Sequence, residues 1–129
     1  MKMAGEITVI TGASGGIGLA LAQELDREGM RLVLVAKSED HLKETIKQLS
    51  GKEHAYFTCN LANPEAVKKL VQEIKTKYDQ IDILVNGAGI GVYKPIEGVT
   101  FEDWKNSFSI GVDAPYFLTQ VLLPFLARS

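Results

Sequence analysis

The chain has one cysteine, Cys59, in 129 residues. That rules out an internal disulfide and fits a reducing, cytoplasmic setting. Histidine is nearly as scarce, with two. His41 sits in a polar helix start and reads as a surface residue. His54 sits at a strand start with no second ligand near it in sequence. No His, Cys or carboxylate cluster has metal-ligand spacing, so no metal is expected. Neither charge sign dominates: 14 Lys+Arg against 16 Asp+Glu leave −2 at pH 7. Such a balance gives no basic footprint for nucleic acid and no cationic face for an anionic membrane. No unbroken apolar run approaches the ~20 residues that span a bilayer. The N-terminal Met1-Lys2-Met3-Ala4-Gly5-Glu6 leads into an apolar strand without a separate signal peptide. Linkers and low-complexity tracts are also missing, so residues 1–129 read as one domain long enough to bury a core.

What the chain does have is glycine in a particular place. Thr11-Gly12-Ala13-Ser14-Gly15-Gly16-Ile17-Gly18 follows the apolar run Ile7-Thr8-Val9-Ile10 and opens a helical pattern. A strand, a glycine-rich turn and a helix in that order make a site for a dinucleotide pyrophosphate. Gly12 turns the chain off the strand, Gly16 leaves the backbone open to a phosphate, and Gly18 lets the helix pack close to the sheet. The free N–H groups and positive dipole end of the helix then face the anion.

The spacing is Gly-x-x-x-Gly-x-Gly, not the commoner Gly-x-Gly-x-x-Gly. A second motif, Asn86-Gly87-Ala88-Gly89, follows the apolar strand 81–85. Together they resemble the short-chain dehydrogenase/reductase family, whose signatures read Thr-Gly-x-x-x-Gly-x-Gly and, usually, Asn-Asn-Ala-Gly. Gly87 departs from the second, and the loss of an amide side chain predicts a less rigid exit from strand four. The resemblance runs from Glu6 to Leu126. It implies a Rossmann-like α/β sandwich and a dinucleotide held by three loops. The first supplies Gly12, Ser14, Gly15, Gly16, Ile17 and Gly18. The second supplies Asn60 and Leu61, and the third Asn86, Ala88 and Gly89. It also implies hydride transfer between nicotinamide and a carbonyl or alcohol. The family's catalytic serine and Tyr-x-x-x-Lys pair belong to a second half that this sequence does not contain. The chain therefore reads as the nucleotide-binding half of such an oxidoreductase, inactive alone. The alternative is a non-enzymatic nucleotide-binding or oligomerisation module.

Strand and helix patterns alternate along the chain. Strands are expected at 6–11, 31–36, 54–58 and 81–85. Helices are expected at 16–28, from Ser38 or Glu39 to a stop at Ser50-Gly51, from Pro64 with Asn63 as cap, and at 100–127. The buried stripes read Ile17, Leu21, Leu25; Leu42, Ile46, Leu49; and Val67, Leu70, Val71, Ile74, Tyr78. The charged residues 39–47 form a solvated face in which a Glu39–Lys43 pair offsets Asp40–Glu44 repulsion. Apolar strands between helices predict a parallel sheet covered on both faces, two helices to each. Right-handed crossovers and the resemblance order the strands 3-2-1-4. The last helix differs: from Ile110 to Ala127 it is apolar on nearly every side, more than one sheet layer covers, and Pro115 predicts a bend. Helix 100–127 and the unpaired edge of strand 81–85 are expected to build a homo-oligomer.

Cofactor choice turns on the end of strand two, where an acid would bond the ribose of NAD. Here Ala36 stands there, with Lys37 next, nineteen residues past Gly18. A lysine pairs with a 2′-phosphate, so NADP is expected ahead of NAD, with Ser14 and Ser38 as further hydroxyl donors. The alternative leaves Lys37 solvated and Glu39 or Asp40 on the ribose. Asn60 stands where the family often has an Asp that accepts from the adenine amino group, and an amide oxygen accepts likewise. Turning the chain into the next helix is its other use. No residue is expected to be catalytic. The family's relay Asn follows a Trp by seven positions, and seven past Trp104 stands Gly111. Tyr93, Lys94 and Tyr116 have neither the spacing nor a partner base.

Overall fold

Parallel strands cannot be joined by hairpins, so each must return over a face of the sheet through a helix. The structure, a computed structural model, describes residues 4–89 and 91–128 and shows this pattern. In chain order it contains β1 (Ile7–Thr11), α1 (Gly16–Arg27), β2 (Arg31–Ala36), α2 (Glu39–Lys47), β3 (Ala55–Thr58), α3 (Pro64–Lys77) and β4 (Ile83–Asn86). A short 3-10 turn (Ile96–Gly98), α4 (Phe101–Phe108), a π turn (Ser109–Asp113) and α5 (Ala114–Leu126) follow. The four strands pair in parallel in the order β3-β2-β1-β4, as expected. β1 lies between β2 and β4, with Val9 opposite Val33 on one side and Leu84 on the other.

Alternation along the strands divides the core in two. Val9, Val33 and Val35 pack with Val67, Leu70 and Ile74 of α3 and with Leu118 and Leu122 of α5. Ile10, Leu32 and Leu34 point the other way, against Ala22 of α1 and Leu42 of α2. β2 is buried from Leu32 to Ala36, which is why it reads as an unbroken apolar run. Side chains cap three of the helices. Ser38 Oγ accepts from His41 N–H, Asn63 Oδ1 accepts from Glu65 and Ala66 N–H, and Thr100 forms a capping box with Asp103.

Two expectations need correction. Ile17 is 89% exposed, not part of the buried stripe of α1. In the first turn of the helix it is Gly18 that faces inward, onto the Gly12 and Ala13 backbone, so Ile17 beside it faces solvent. The residues that α1 buries are Gly18, Ala22 and Asp26, and their small side chains let the helix sit close to the strands. The predicted single helix over 100–127 is interrupted. Pro115 has no N–H for the Gly111 carbonyl, and glycine is a weak helix former. The chain widens there into a π turn, with Ala114 N–H bonded to the Ser109 carbonyl. α4 buries none of its residues, whereas α5 buries Ala114, Leu118 and Leu122 at helical spacing. The whole run Phe101–Leu126 is 26 residues long, enough by length and composition to cross a bilayer, although the sequence shows no unbroken apolar stretch there.

At the N-terminal end of β2 the structure places a buried polar node that the sequence did not suggest. The Asp26 carboxylate, at the end of α1, accepts from Ser50 N–H (2.7 Å), Ser50 Oγ (3.0 Å) and Gly51 N–H (2.9 Å). His54 Nε2 lies 2.8 Å from the same carboxylate, and His54 Nδ1 accepts from Leu32 N–H at 3.0 Å. That second bond leaves the ring proton on Nε2, directed at Asp26. A Cβ on Gly51 would lie 2.6 Å from the His54 ring, so any larger residue would displace the node. Ser50-Gly51, read as a helix stop, therefore ties α1, β2 and β3 together, and α2 ends earlier, at Lys47. Burial disfavours the Asp26 charge, but the four donors outweigh it and hold the carboxyl well below the usual carboxylate range. A depressed folded value gives stability that is present above the unfolded value and lost as pH falls towards the folded one. Asp26→Asn should cost about 2–3 kcal/mol at pH 7. In urea unfolding, the gap from the parent should narrow once pH drops below about 4, where the unfolded carboxyl takes up its proton.

Candidate functional site

The strand order places a switch point at β1, because the chain winds from β1 to β2 and β3 and then crosses back to β4. Ligands of open α/β sheets bind outside the strand ends at such a point. Here the backbones come very close. Gly12 turns off β1 with φ +71°, and a Cβ on it would lie 2.6 Å from the Gly87 carbonyl oxygen. A Cβ on Gly87 would lie 2.7 Å from the Thr11 carbonyl oxygen, and one on Gly18 would overlap the Gly12 carbonyl. Thr11, almost fully buried, accepts through Oγ1 from Gly87 N–H (3.0 Å) and Ala88 N–H (3.2 Å). Thr11 braces the segment, and the missing side chain is what permits the approach.

Above this contact lies the start of α1. Unlike α2, α3 and α4, it has no side-chain cap and no acidic residue in its first turn. Gly15, Gly16 and Ile17 are exposed, and Gly16, at φ +57°, has open space where a side chain would stand. Helix-start N–H groups left without a side-chain acceptor suit an anion.

Beside it the four strand ends enclose a cleft of ≈ 430 Å³. Gly12, Ser14 and Gly15 line it from the first loop, Ala36 and Lys37 from β2, and Cys59, Asn60 and Leu61 after β3. Gly87, Ala88 and Gly89 line it after β4, and Ile110 enters from the π turn. Of the residues singled out in the sequence, eight therefore meet in one cleft: Gly12, Ser14, Gly15, Lys37, Asn60, Leu61, Ala88 and Gly89. Gly16 and Ile17 stand in the exposed turn of α1, and Gly18 is buried beneath it. Asn86 does not line the cleft; its Nδ2 donates to Thr119 Oγ1 of α5 at 3.4 Å. Ile110 and Cys59 were missed. Ile110 reaches the cleft through the π turn, which no local pattern announces. Burial, with the Glu73 charge added, pushes the Cys59 thiol up to about 11, so it serves as a small neutral wall.

The polar groups at the cleft differ in how far they are committed. Asn60 Oδ1 accepts from Ala62 N–H at 3.1 Å, the chain-turning use expected of it. Its oxygen keeps a second lone pair and its amide nitrogen two donors. Lys37 is exposed and has no ion pair among the described residues. Glu39 and Asp40, the acids of the alternative reading, are not among the residues that line the cleft. For proton transfer the cleft has little to offer. A Cβ at Gly111 would meet nothing within 4 Å, so the relay position is open space. Tyr93 is 97% exposed, Lys94 is paired to Asp103 at 2.7 Å, and Tyr116 is 67% exposed.

The comparisons with known proteins agree with this geometry. The family model for short chain dehydrogenase matches residues 6–129. The structure of L-sorbose reductase from Gluconobacter frateurii, complexed with NADPH and L-sorbose, superposes with a TM-score of 0.90 at 36% identity, over 99% of this chain and 51% of that one. An NADP-dependent (R)-specific alcohol dehydrogenase from Lentilactobacillus kefiri is 30% identical over 121 residues, covering 93% of this chain and 48% of the relative. An NAD-dependent glycerol dehydrogenase from Listeria innocua is 29% identical over 117 residues, covering 91% and 46%. The chain spans about half the length of the curated relatives it matches.

The backbone contacts around Gly12 can be tested without a ligand. Gly18→Ala should lower unfolding stability by about 1–3 kcal/mol, as overpacking does. Gly111→Asn, at an open position, should unfold within about 0.5 kcal/mol of the parent. Both are read by urea titration of the helical circular-dichroism signal.

Proposed function

We infer the function from one premise: the chain belongs to the short-chain dehydrogenase family. We propose that it is the NADP-binding half of an oxidoreductase that acts on a carbonyl or alcohol group. The observation that carries the choice of cofactor is Lys37, a cation without an ion pair among the described residues, lining the cleft at the end of β2 where an NAD-binding site would offer an acid. Relatives of similar identity are named for either cofactor, so likeness alone does not decide between the two.

The residues fit the dinucleotide. The uncapped start of α1, with Gly15, Gly16 and Ile17, takes the pyrophosphate. Lys37 and Ser14 meet the 2′-phosphate, and Asn60 with Leu61 meets the adenine edge. Ala88 and Gly89 form the floor towards the nicotinamide, and Asn86 steadies that floor from α5 through Thr119. When bound, NADPH would supply a hydride to a carbonyl, or NADP+ would accept one from an alcohol. This chain's residues hold and orient the cofactor, and none stands where a developing alkoxide needs a proton donor. Alone, the chain does not turn over. Gly111 at the relay position favours a second reading, a nucleotide-binding module without catalysis, and a Tyr-x-x-x-Lys sequence in frame after Ser129 would decide against it.

Lys37→Glu should weaken NADP binding by about tenfold or more, the loss of one charge-assisted bond. NAD binding should change far less. Calorimetric titration of both nucleotides checks this, and equal weakening would mean that Lys37 does not meet the 2′-phosphate.

We further propose a homo-oligomer. Phe101, Trp104, Tyr116 and Leu123 are exposed by 75%, 58%, 67% and 56%, and an apolar groove of ≈ 270 Å³ runs between the start of α3 and the π turn. β4 has a strand on one side only. Apolar surface of that kind suits a symmetric partner. Leu123→Asp should shift the chain towards monomer in sedimentation velocity at micromolar concentration. A parent that sediments as a stable monomer would overturn this assembly.

A further inference from the structure

The first turn of α2 places Glu39 and Asp40 directly after Lys37 and the cap Ser38. A free carboxylate there would repel a 2′-phosphate held on Lys37 and would instead accept from a ribose hydroxyl, which is how NAD is recognised. Position 39 lies twenty-one residues past Gly18, within reach of the usual spacing for such an acid. The chain therefore carries an NAD-type group two residues from its NADP-type one.

The structure shows how Glu39 is occupied. Lys43, one turn further along α2, brings Nζ to 3.2 Å from Glu39 Oε1. Tyr56 OH donates to the same oxygen at 3.2 Å. Tyr56 belongs to β3, in register with Leu34 of β2, and its ring packs against the core beneath α1 and α2. The sheet, not a mobile loop, thus sets where the hydroxyl stands. The carboxylate is drawn along α2 and over the edge strand. The bond from Lys43, then that from Tyr56, holds the Glu39 carboxyl below its usual range. Glu39 in turn raises the Lys43 ammonium, with a smaller contribution from Asp40, so one cation faces both acids of the turn.

We propose that Tyr56 and Lys43 are positioning residues for cofactor choice: they hold Glu39 away from the ribose and neutralise it, so that the charge a 2′-phosphate meets is Lys37. This rests on the NADP reading above. Neither residue touches the cofactor; both act through Glu39.

The test is the ratio of NADP to NAD affinity, measured by calorimetry on the chain and its variants. Tyr56→Phe keeps the ring in the core, and urea unfolding checks that each variant is folded. The pair Tyr56→Phe/Lys43→Met should lower the ratio about two- to fivefold, the range of an exposed ion pair. Adding Glu39→Gln to that pair should restore it. Lys47→Met makes the same charge change on the same helix, where the lysine pairs with Glu44, and should leave the ratio alone. A ratio unmoved by the pair, a fall that Glu39→Gln does not reverse, or an equal fall with Lys47→Met would overturn the proposal. Lys37→Ala tests the NADP reading separately. If that variant keeps the parent's preference, the reading fails whatever Tyr56 and Lys43 do. A chain that binds neither nucleotide overturns both.

Discussion

The close approach of three backbone segments at the end of β1 is the constraint on which the rest of the structure depends. Gly12 turns there, Gly18 of α1 rests on its carbonyl, and Gly87 slides in beside it after β4. Thr11, buried at that point, turns its hydroxyl to the N–H groups of Gly87 and Ala88. A single Cβ at any of the three positions would force apart helix and strand, or β1 and β4. The cleft exists because these segments are held together while the loops above them diverge. A backbone surface with few side chains also lets a phosphate-bearing ligand approach N–H groups directly.

The two ends of the sheet treat polar groups in opposite ways. At the N-terminal end of β2, Asp26 and His54 are buried and supplied with partners from Ser50, Gly51 and Leu32. Such a saturated node orders three elements and leaves no group over for a ligand. At the C-terminal end the start of α1 has no side-chain cap and Lys37 no ion pair among the described residues, while the nearby Glu39 is already engaged by Lys43 and Tyr56. Donors left without protein partners in a cleft are what an anionic cofactor needs. On the NADP reading proposed above, a carboxylate engaged elsewhere would also lessen repulsion of a 2′-phosphate.

The last helical run follows a different logic. α5 spends one stripe, Ala114, Leu118 and Leu122, on α3 and the sheet, and keeps Tyr116 and Leu123 outside. α4 continues away from the sheet with Phe101 and Trp104 exposed. The π turn between them lets α5 follow the sheet while α4 departs from it, and it brings Ile110 to the cleft. A family fold of which this chain spans about half has more structure to place on such surfaces.

Local chemistry made much of this legible in advance. Apolar strands between amphipathic helices determined a parallel sheet, because unbroken Val, Leu and Ile runs must be covered on both faces. Glycine positions 12, 16 and 18 determined the turn, because their spacing after a strand has few other uses. The cation at the end of β2 was readable as well, since Lys37 directly follows the strand. Only tertiary structure decided the rest, and in each case a contact between residues distant in sequence is the reason. Asp26 meets Ser50 and His54 across the fold, which no spacing could announce. Thr11 bonds Gly87 and Ala88, a close contact between segments more than seventy residues apart. Ile17 lost its place in the buried stripe because α1 turns Gly18, Ala22 and Asp26 inward, a face one position on from the apolar one and set by how closely the helix sits on the sheet. Glu39 pairs with Lys43, as its spacing suggested, but the bond from Tyr56 comes from the register of β3 and has no local signal.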